Sequence, residues 1–368
     1  MIRIERRLSQ PRWLTFAVPI GSVIVAFGVM TLVLLATHHS PGHTFRRLFD
    51  TGFVGSQSLN ATFIAATPLV FTGLCAAIAF RMQLFNIGGE GQLYLGAVFG
   101  AAAGIALGNH TGWLSIPAMI VAGAAGGAAL ALIPAVLRAF FSTNEIITSL
   151  MLNYVAALVI NYLIFDSLSY WRDTSSATAK VFPQGKNLPD AASWPAAHIG
   201  SLVLPFGLLL GFVIAAGIWL LYTRTKFGFE VQVIGDSPRA ASYAGMRTRR
   251  KILAVMALSG AVAGIGGASQ DGDFRHTLDP RGLTAAGYGY AGIVIAALAR
   301  YNPFAVCLVA ILLGGIQNAG YALQGVDFPS GLVGVMQGLI LFCALGGELL
   351  IRYRVRFARS SRAAEAAA

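Results

Sequence analysis

The chain has 368 residues, 56% of them hydrophobic and only 11% charged, with a mean hydropathy of +0.69, against roughly 25% charged in soluble domains. This excludes a soluble enzyme or binding module and predicts an all-α polytopic membrane bundle. The formal charge of +11 sits at the ends of apolar runs, not on one water-facing surface, so it reports topology and no nucleic-acid partner is expected.

At about 20 residues per crossing the sequence divides into ten spans, near 13–37, 60–80, 90–108, 113–137, 145–168, 199–222, 252–270, 286–299, 303–323 and 330–351. The first follows Arg3, Arg6, Arg7 and Arg12; it is too long for a signal-peptide core and has no small-residue cleavage site, so it is kept as a span. With both termini on the cytoplasmic side, nineteen of the 26 lysines and arginines fall inside and seven outside, as the positive-inside rule requires. A single transmembrane domain then covers 1–351, with a cytoplasmic loop at 223–251, an external loop at 169–198 and a basic cytoplasmic tail at 352–368. The end of that tail, from Arg359, reads as frayed.

Gly96, Gly100, Gly104 and Gly108 form a ladder at four-residue spacing, repeated in shorter form by Gly123/Gly127, Gly260/Gly264 and Gly334/Gly338. The ladder predicts close helix packing in lipid; the pairs alone carry no specific expectation. The external segments 38–59 and 169–198 read as loops. Trp171 and Trp194 are expected at the headgroup level. His38, His39 and His43 read as a solvated cluster, and no metal site is expected. Cys75, Cys307 and Cys343 are far apart within apolar runs and read as packing residues.

Polar residues enter the membrane at three places. Phe85-Asn86-Ile87-Gly88-Gly89-Glu90-Gly91-Gln92 breaks the apolar pattern and would border a passage. Glu90 is either functional or a first-turn acid complementing its own helix dipole. Ser142-Thr143-Asn144-Glu145 caps the fifth span, which carries Ser149, Asn153 and Asn161. Gln317, Asn318 and Tyr321 in the ninth span and Gln337 in the tenth pose the same choice between pathway and structural glue. Tyr288 and Tyr290 are further pathway candidates by their chemistry. Asp271 and Asp273 flank Gly272 in what reads as a solvated external turn.

Within the cytoplasmic loop, Asp236-Ser237-Pro238-Arg239-Ala240-Ala241-Ser242-Tyr243-Ala244-Gly245 reads as a tiny helix. Ser237 is an N-cap, Pro238 fits N1 and Gly245 supplies a left-handed end. Two turns are marginal alone, and the small face of Ala240, Tyr243 and Ala244 would let a partner approach closely. No G-x-x-x-x-G-K-[ST] phosphate loop is present, so energy is expected from outside the chain.

Taken together, the 85–92 segment, Thr143-Asn144-Glu145-Ile146-Ile147 with Met151-Leu152-Asn153-Tyr154, Gly228-Phe229-Glu230 leading into Ala240 to Met246, and Leu258 to Gly264 resemble permease subunits of bacterial ABC importers. The resemblance is to the branched-chain amino acid and monosaccharide permease superfamily, more closely to the larger permease of its nucleoside branch. It spans nearly the whole chain and departs at Ala299-Arg300-Tyr301-Asn302, where relatives typically have glycine-rich residues. It implies a non-enzymatic permease in a multi-pass bacterial inner-membrane location, moving nucleosides, or alternatively monosaccharides or branched-chain amino acids. The partners it implies are a second permease, a cytoplasmic ATPase holding ATP and Mg, and an extracytoplasmic solute-binding lipoprotein. The coupling helix then falls on Ser237 to Gly245, with Glu230 and Arg239 as polar neighbours. From a different class, an ion-coupled carrier would leave the 223–251 loop merely solvated.

Overall fold

The computed structural model describes residues 2–6, 12–108, 112–175, 177–323 and short pieces between 334 and 357. In chain order, β1 (Ile2–Arg6) leads to α1 (Arg12–Ala36), α2 (Pro41–Phe53), α3 (Ser56–Phe80), α4 (Gly89–Leu107), α5 (Ser115–Phe141) and α6 (Glu145–Asn161). Next come α7 (Ala177–Val181), the strands β2 (Ala196–Ile199) and β3 (Leu202–Pro205), then α8 (Phe206–Arg224), α9 (Lys226–Asp236), α10 (Pro238–Tyr243) and α11 (Thr248–Ser269). The last elements are α12 (Pro280–Ala286), α13 (Tyr288–Leu298), α14 (Pro303–Ala322) and β4 (Tyr353–Phe357). Two compact units result: Met1–Phe45 with Gly325–Ala368, and Arg46–Gln324.

In the first unit, β1 pairs antiparallel with β4 from Ile2↔Phe357 to Arg6↔Tyr353. The basic tail expected at 352–368 therefore begins as a strand; from Arg359 onward it lies outside the described residues, as does most of the tenth span.

The second unit is an all-α membrane bundle. Seven helices among the described residues are long and apolar enough to cross a membrane: Ser56–Phe80, Gly89–Leu107, Ser115–Phe141, Glu145–Asp166, Phe206–Arg224, Thr248–Arg275 and Pro303–Ala322. Their ends follow local chemistry. Asn144 Oδ1 accepts from Ile146 N at 2.9 Å to open α6, and Asn302 Oδ1 accepts from Phe304 N at 3.0 Å ahead of Pro303 to open α14, both ordinary side-chain caps.

The glycine ladder packs α4 against α5 and α11, which also meet each other directly. A Cβ on Gly96 would overlap the backbone of Gly264, one on Gly264 the carbonyl of Gly123, and one on Gly127 the carbonyl of Gly260. Backbone-to-backbone contact of this kind replaces the burial drive that lipid removes. The pairs Gly123/Gly127 and Gly260/Gly264 thus face each other, whereas no described atom lies within 4 Å of a Cβ at Gly334 or Gly338.

Several expectations are corrected. The eighth span, read at 286–299, is the eleven-residue α13, and a separate helix, α12, precedes it across the left-handed Gly287 (φ +62°), which is why the span is short. The sixth starts at Phe206, because Leu202–Pro205 pairs with Ala196–Ile199 and Val203 N is held by Asn60 Oδ1 at 2.8 Å. The segment 38–59 is mostly the helix α2 and the start of α3. Trp194 is buried against Phe206, and the Trp171 indole donates to Val98 O at 2.8 Å; both rings pack against protein.

Two faces of this unit emerge from its loops. On one, Arg81 donates to Tyr301 O at 3.2 and 3.1 Å and lies over the Tyr222 ring. There also Arg138 pairs with Glu145 at 3.3 Å and Arg249 sits over Phe140. On the other, Leu188 N donates to His276 O, Trp194 N donates to Gly272 O, and Arg281 covers the Phe165 ring.

Candidate functional site

The break at 81–88 carries the chain back into the bundle before α4 begins. Gly89 lies beside Cys75 of α3 and Gly289 of α13. Asn86 and Gln92 form a reciprocal amide pair at 2.9 Å in each direction. Asn86 Nδ2 also donates to Ser259 Oγ at 2.9 Å, and Ser259 Oγ donates to Cys75 O at 2.7 Å. From α6, Asn153 Oδ1 accepts from Gly91 N and its Nδ2 donates to Ile87 O, both at 2.9 Å. The non-helical backbone is thereby satisfied from α6, by Asn153 at Ile87 O and by Ser149 Oγ, which accepts from Ile87 N at 3.3 Å, and from within the break by Asn86 Oδ1, which accepts from Gly88 N at 3.0 Å.

Glu90, 3% exposed, is in the first turn of α4, but its carboxylate serves another helix. Oε2 accepts from Gly289 N, and Oε1 accepts from Tyr94 OH at 2.5 Å. The orphan N–H groups and positive dipole end of α13 at its Gly287 break are what this carboxylate neutralises. The second broken helix thus starts against the first.

Of the remaining pathway candidates, Tyr288, Tyr290 and Gln317 lie near that junction. Tyr290 is 40% exposed and faces Asn153. Tyr288 is buried, with its carbonyl accepting from Thr72 Oγ1 at 2.9 Å. Gln317 Nε2 donates to Ala286 O at 3.2 Å, while its buried Oε1 has no partner among the described residues. Asn318 is half-buried and Tyr321 exposed; Gln337 lies outside the described residues.

Sequence reading missed the parts played by Cys75, Tyr94 and Ser259, which are ordinary residues in apolar runs with no local signal. It also placed Asp271 and Asp273 in solvent. Instead α11 runs on as a π-helical turn, Gln270–Arg275, where Asp271 is 0% exposed. Asp273 Oδ2 accepts from Gly207 N at 2.9 Å and Ser269 Oγ at 2.8 Å, capping α8 from outside that helix.

On the first face, α9 and α10 stand between α8 and α11. Ser237 Oγ accepts from Ala240 N at 3.3 Å, Pro238 occupies the first turn, and Gly245 has φ +73°. Ala241 is buried, whereas Arg239, Ala240, Tyr243 and Ala244 are exposed, Tyr243 to 94%. Glu230 links α9 to α11 through Lys251 Nζ at 2.6 Å, with Lys226 at 3.9 Å. The Lys251 hydrogen bond, then its charge, holds the Glu230 carboxyl below its ordinary range. A cavity of about 610 Å³ lies beside this pair, lined in part by Phe229, Met246, Arg247 and Arg250.

Broken helices meeting inside a membrane bundle, with a small exposed helix on one face, define a polytopic transport subunit. The family described as branched-chain amino acid transport system / permease component is matched over residues 58–345, and the chain belongs to it. A glucose ABC transporter permease protein of Haloferax volcanii is 31% identical over 100% of this chain and 97% of the relative. A guanosine ABC transporter permease protein of Bacillus subtilis is 29% identical over 92% and 94%. A nucleoside ABC transporter permease protein of Lactococcus lactis is 25% identical over 95% of each. The chain is therefore a multi-pass ABC permease subunit, a non-catalytic transport component; in this family ATP and Mg belong to the ATPase partner.

Proposed function

We propose that the chain imports a neutral, hydroxyl-rich solute, a monosaccharide before a nucleoside, by ATP-driven alternating access. The observation that carries the sugar reading is the 31% identity along the full chain with a glucose permease, which moves the nucleoside expectation to second place. The guanosine and nucleoside relatives, nearly as extensive, keep that second reading specific. Both cargoes present vicinal hydroxyls, which amides and tyrosines such as Gln317, Asn318, Tyr288, Tyr290 and Tyr321 suit.

In this reading a second permease completes the passage, a solute-binding protein delivers cargo outside, and a cytoplasmic ATPase grips α10. Support for α10 comes from its size and exposure: six residues held by caps and by Ala241, presenting Ala240, Tyr243 and Ala244 outward. Glu230 and Lys251 would pass its displacement to α11, and the glycine-packed α4, α5 and α11 would move as one body. Ten crossings with both termini inside accord with the paired terminal strands, and a bacterial inner membrane is the proposed location.

The test is to replace Ala240 and Ala244 with tryptophan. At parental expression, ATPase association and uptake should both fall at least tenfold; parental values of both would reject the docking assignment. Uptake of labelled glucose and guanosine by the assembled transporter then ranks the two cargoes.

A further inference from the structure

Asp271 is 0% exposed and neither of its carboxylate oxygens has a partner among the described residues. A buried carboxyl without a hydrogen-bond partner is costly in a folded interior, and a titratable side chain inside a membrane bundle points to function. It sits in the π-helical turn that His276 N closes by donating to Asp271 O at 2.9 Å, a helix irregularity found often at moving or functional sites.

Asp271, Arg275 and Asp279 follow one another at four-residue steps, so one guanidinium has a carboxylate on either side of it in sequence. In the conformation described, Arg275 Nη1 pairs with Asp279 Oδ2, and the buried Arg275 Nε has no partner among the described residues. The charges acting on Asp271 are Arg275, attractively, and Asp279, repulsively. Arg275 also faces Tyr288. Asp279 Oδ1 accepts from Gly282 N at 3.2 Å, capping α12. That seven-residue helix is tied back by the Arg275 ion pair and ends at the left-handed Gly287, beyond which Glu90 fixes α13.

We propose that Arg275 is a two-position latch for α12. It holds the helix on Asp279 in the state described and passes to Asp271 when α12 lifts about Gly287 during transport. Asp271, Arg275 and Asp279 are thus positioning residues for an outer gate. Each state leaves one carboxylate without the cation. Asp279, part-exposed, is hydrated when released, while Asp271 is relieved of its isolation, so the two penalties oppose each other and a modest bias from the ATPase side shifts the balance. The latch rests on the alternating-access reading above.

The test uses the assembled transporter, with spin labels at Ala285→Cys and Ala196→Cys, both exposed. Cys343 is replaced by serine and the buried Cys75 and Cys307 are retained. The parent should exchange two label separations between nucleotide-free and ATP-locked states. Asp271→Asn, lacking the second post, should keep the nucleotide-free separation in both. Asp279→Asn, which still caps α12 but no longer attracts the guanidinium, should keep the ATP-locked one. Uptake should fall at least tenfold in each. Variants that both follow the parent, or shift together, overturn the latch. So does a lowered melting temperature for Asp271→Asn, because a carboxyl that holds no partner contributes no bond for the substitution to remove. A parent with one separation in both states overturns alternating access itself, and the latch with it.

Discussion

Arg300 and Tyr301 carry the turn between α13 and α14 in consecutive left-handed conformations, φ +49° and +60°, at the place where the family resemblance leads one to expect glycine. Such backbone costs a side-chain-bearing residue about 1–2 kcal/mol. Tyr301 has compensation, accepting from Arg81 and meeting Phe80 edge-on at 5.8 Å; Arg300 is simply exposed. Arg300→Gly should therefore raise stability by about 0.5–1 kcal/mol, after the entropy that glycine adds to the unfolded chain, read as a higher melting temperature in detergent. Glu230 gives a pH prediction. Because Lys251 depresses its titration, its link to α11 is fully present above the ordinary carboxylate value of about 4.3 and is lost as pH falls through the lower folded value. Glu230→Gln should loosen α9 at pH 7, seen as faster amide exchange normalised for intrinsic rate. The parent should reach that looseness only under acid, below the ordinary value. If it loosens between pH 7 and 5, the pair is not what holds α9.

At the scale of elements, glycines on different helices should respond oppositely to one methyl group. Gly264→Ala drives a Cβ into the Gly123 carbonyl, and backbone cannot yield as a side chain does, so about 1–3 kcal/mol or more is lost. Gly217 of α8 has nothing within 4 Å of an added Cβ, so Gly217→Ala should gain up to about 1 kcal/mol from helix propensity. Thermal unfolding of the two variants reads both signs; equal effects would refute the packing argument. The same contrast explains what sequence could tell. Apolar runs, the Gly96 to Gly108 ladder and the Ser237-Pro238 start of α10 are local signals, and they were legible. The α12–α13 break was visible only as a short span, because Gly287 looks like any glycine in a glycine-rich chain. That Glu90 neutralises α13 and Asp273 caps α8 was not legible at all. Both carboxylates serve helices distant in sequence, and their own neighbourhoods read equally well as a first-turn acid and a wet turn.

For the whole molecule, the proposed orientation rests on which face carries the cations. Arg81, Arg138, Arg247, Arg249, Arg250 and Arg300 all belong to the face with α10, and Lys/Arg-rich short loops stay in the cytoplasm because moving them across the membrane is disfavoured. The opposite face holds Leu168, 83% exposed, as α10 holds Tyr243, 94% exposed. The pairing of β1 with β4 is what the proposed even number of crossings requires. Labelling with a membrane-impermeant maleimide joins these points. In intact cells Leu168→Cys should react and Tyr243→Cys should not; in inside-out vesicles the order should reverse. A cysteine placed after residue 368 should react only in the preparation that exposes Tyr243→Cys. Reaction of Tyr243→Cys in intact cells would put α10 outside, where no ATPase can hold it, and the drive for transport would have to enter the bundle elsewhere.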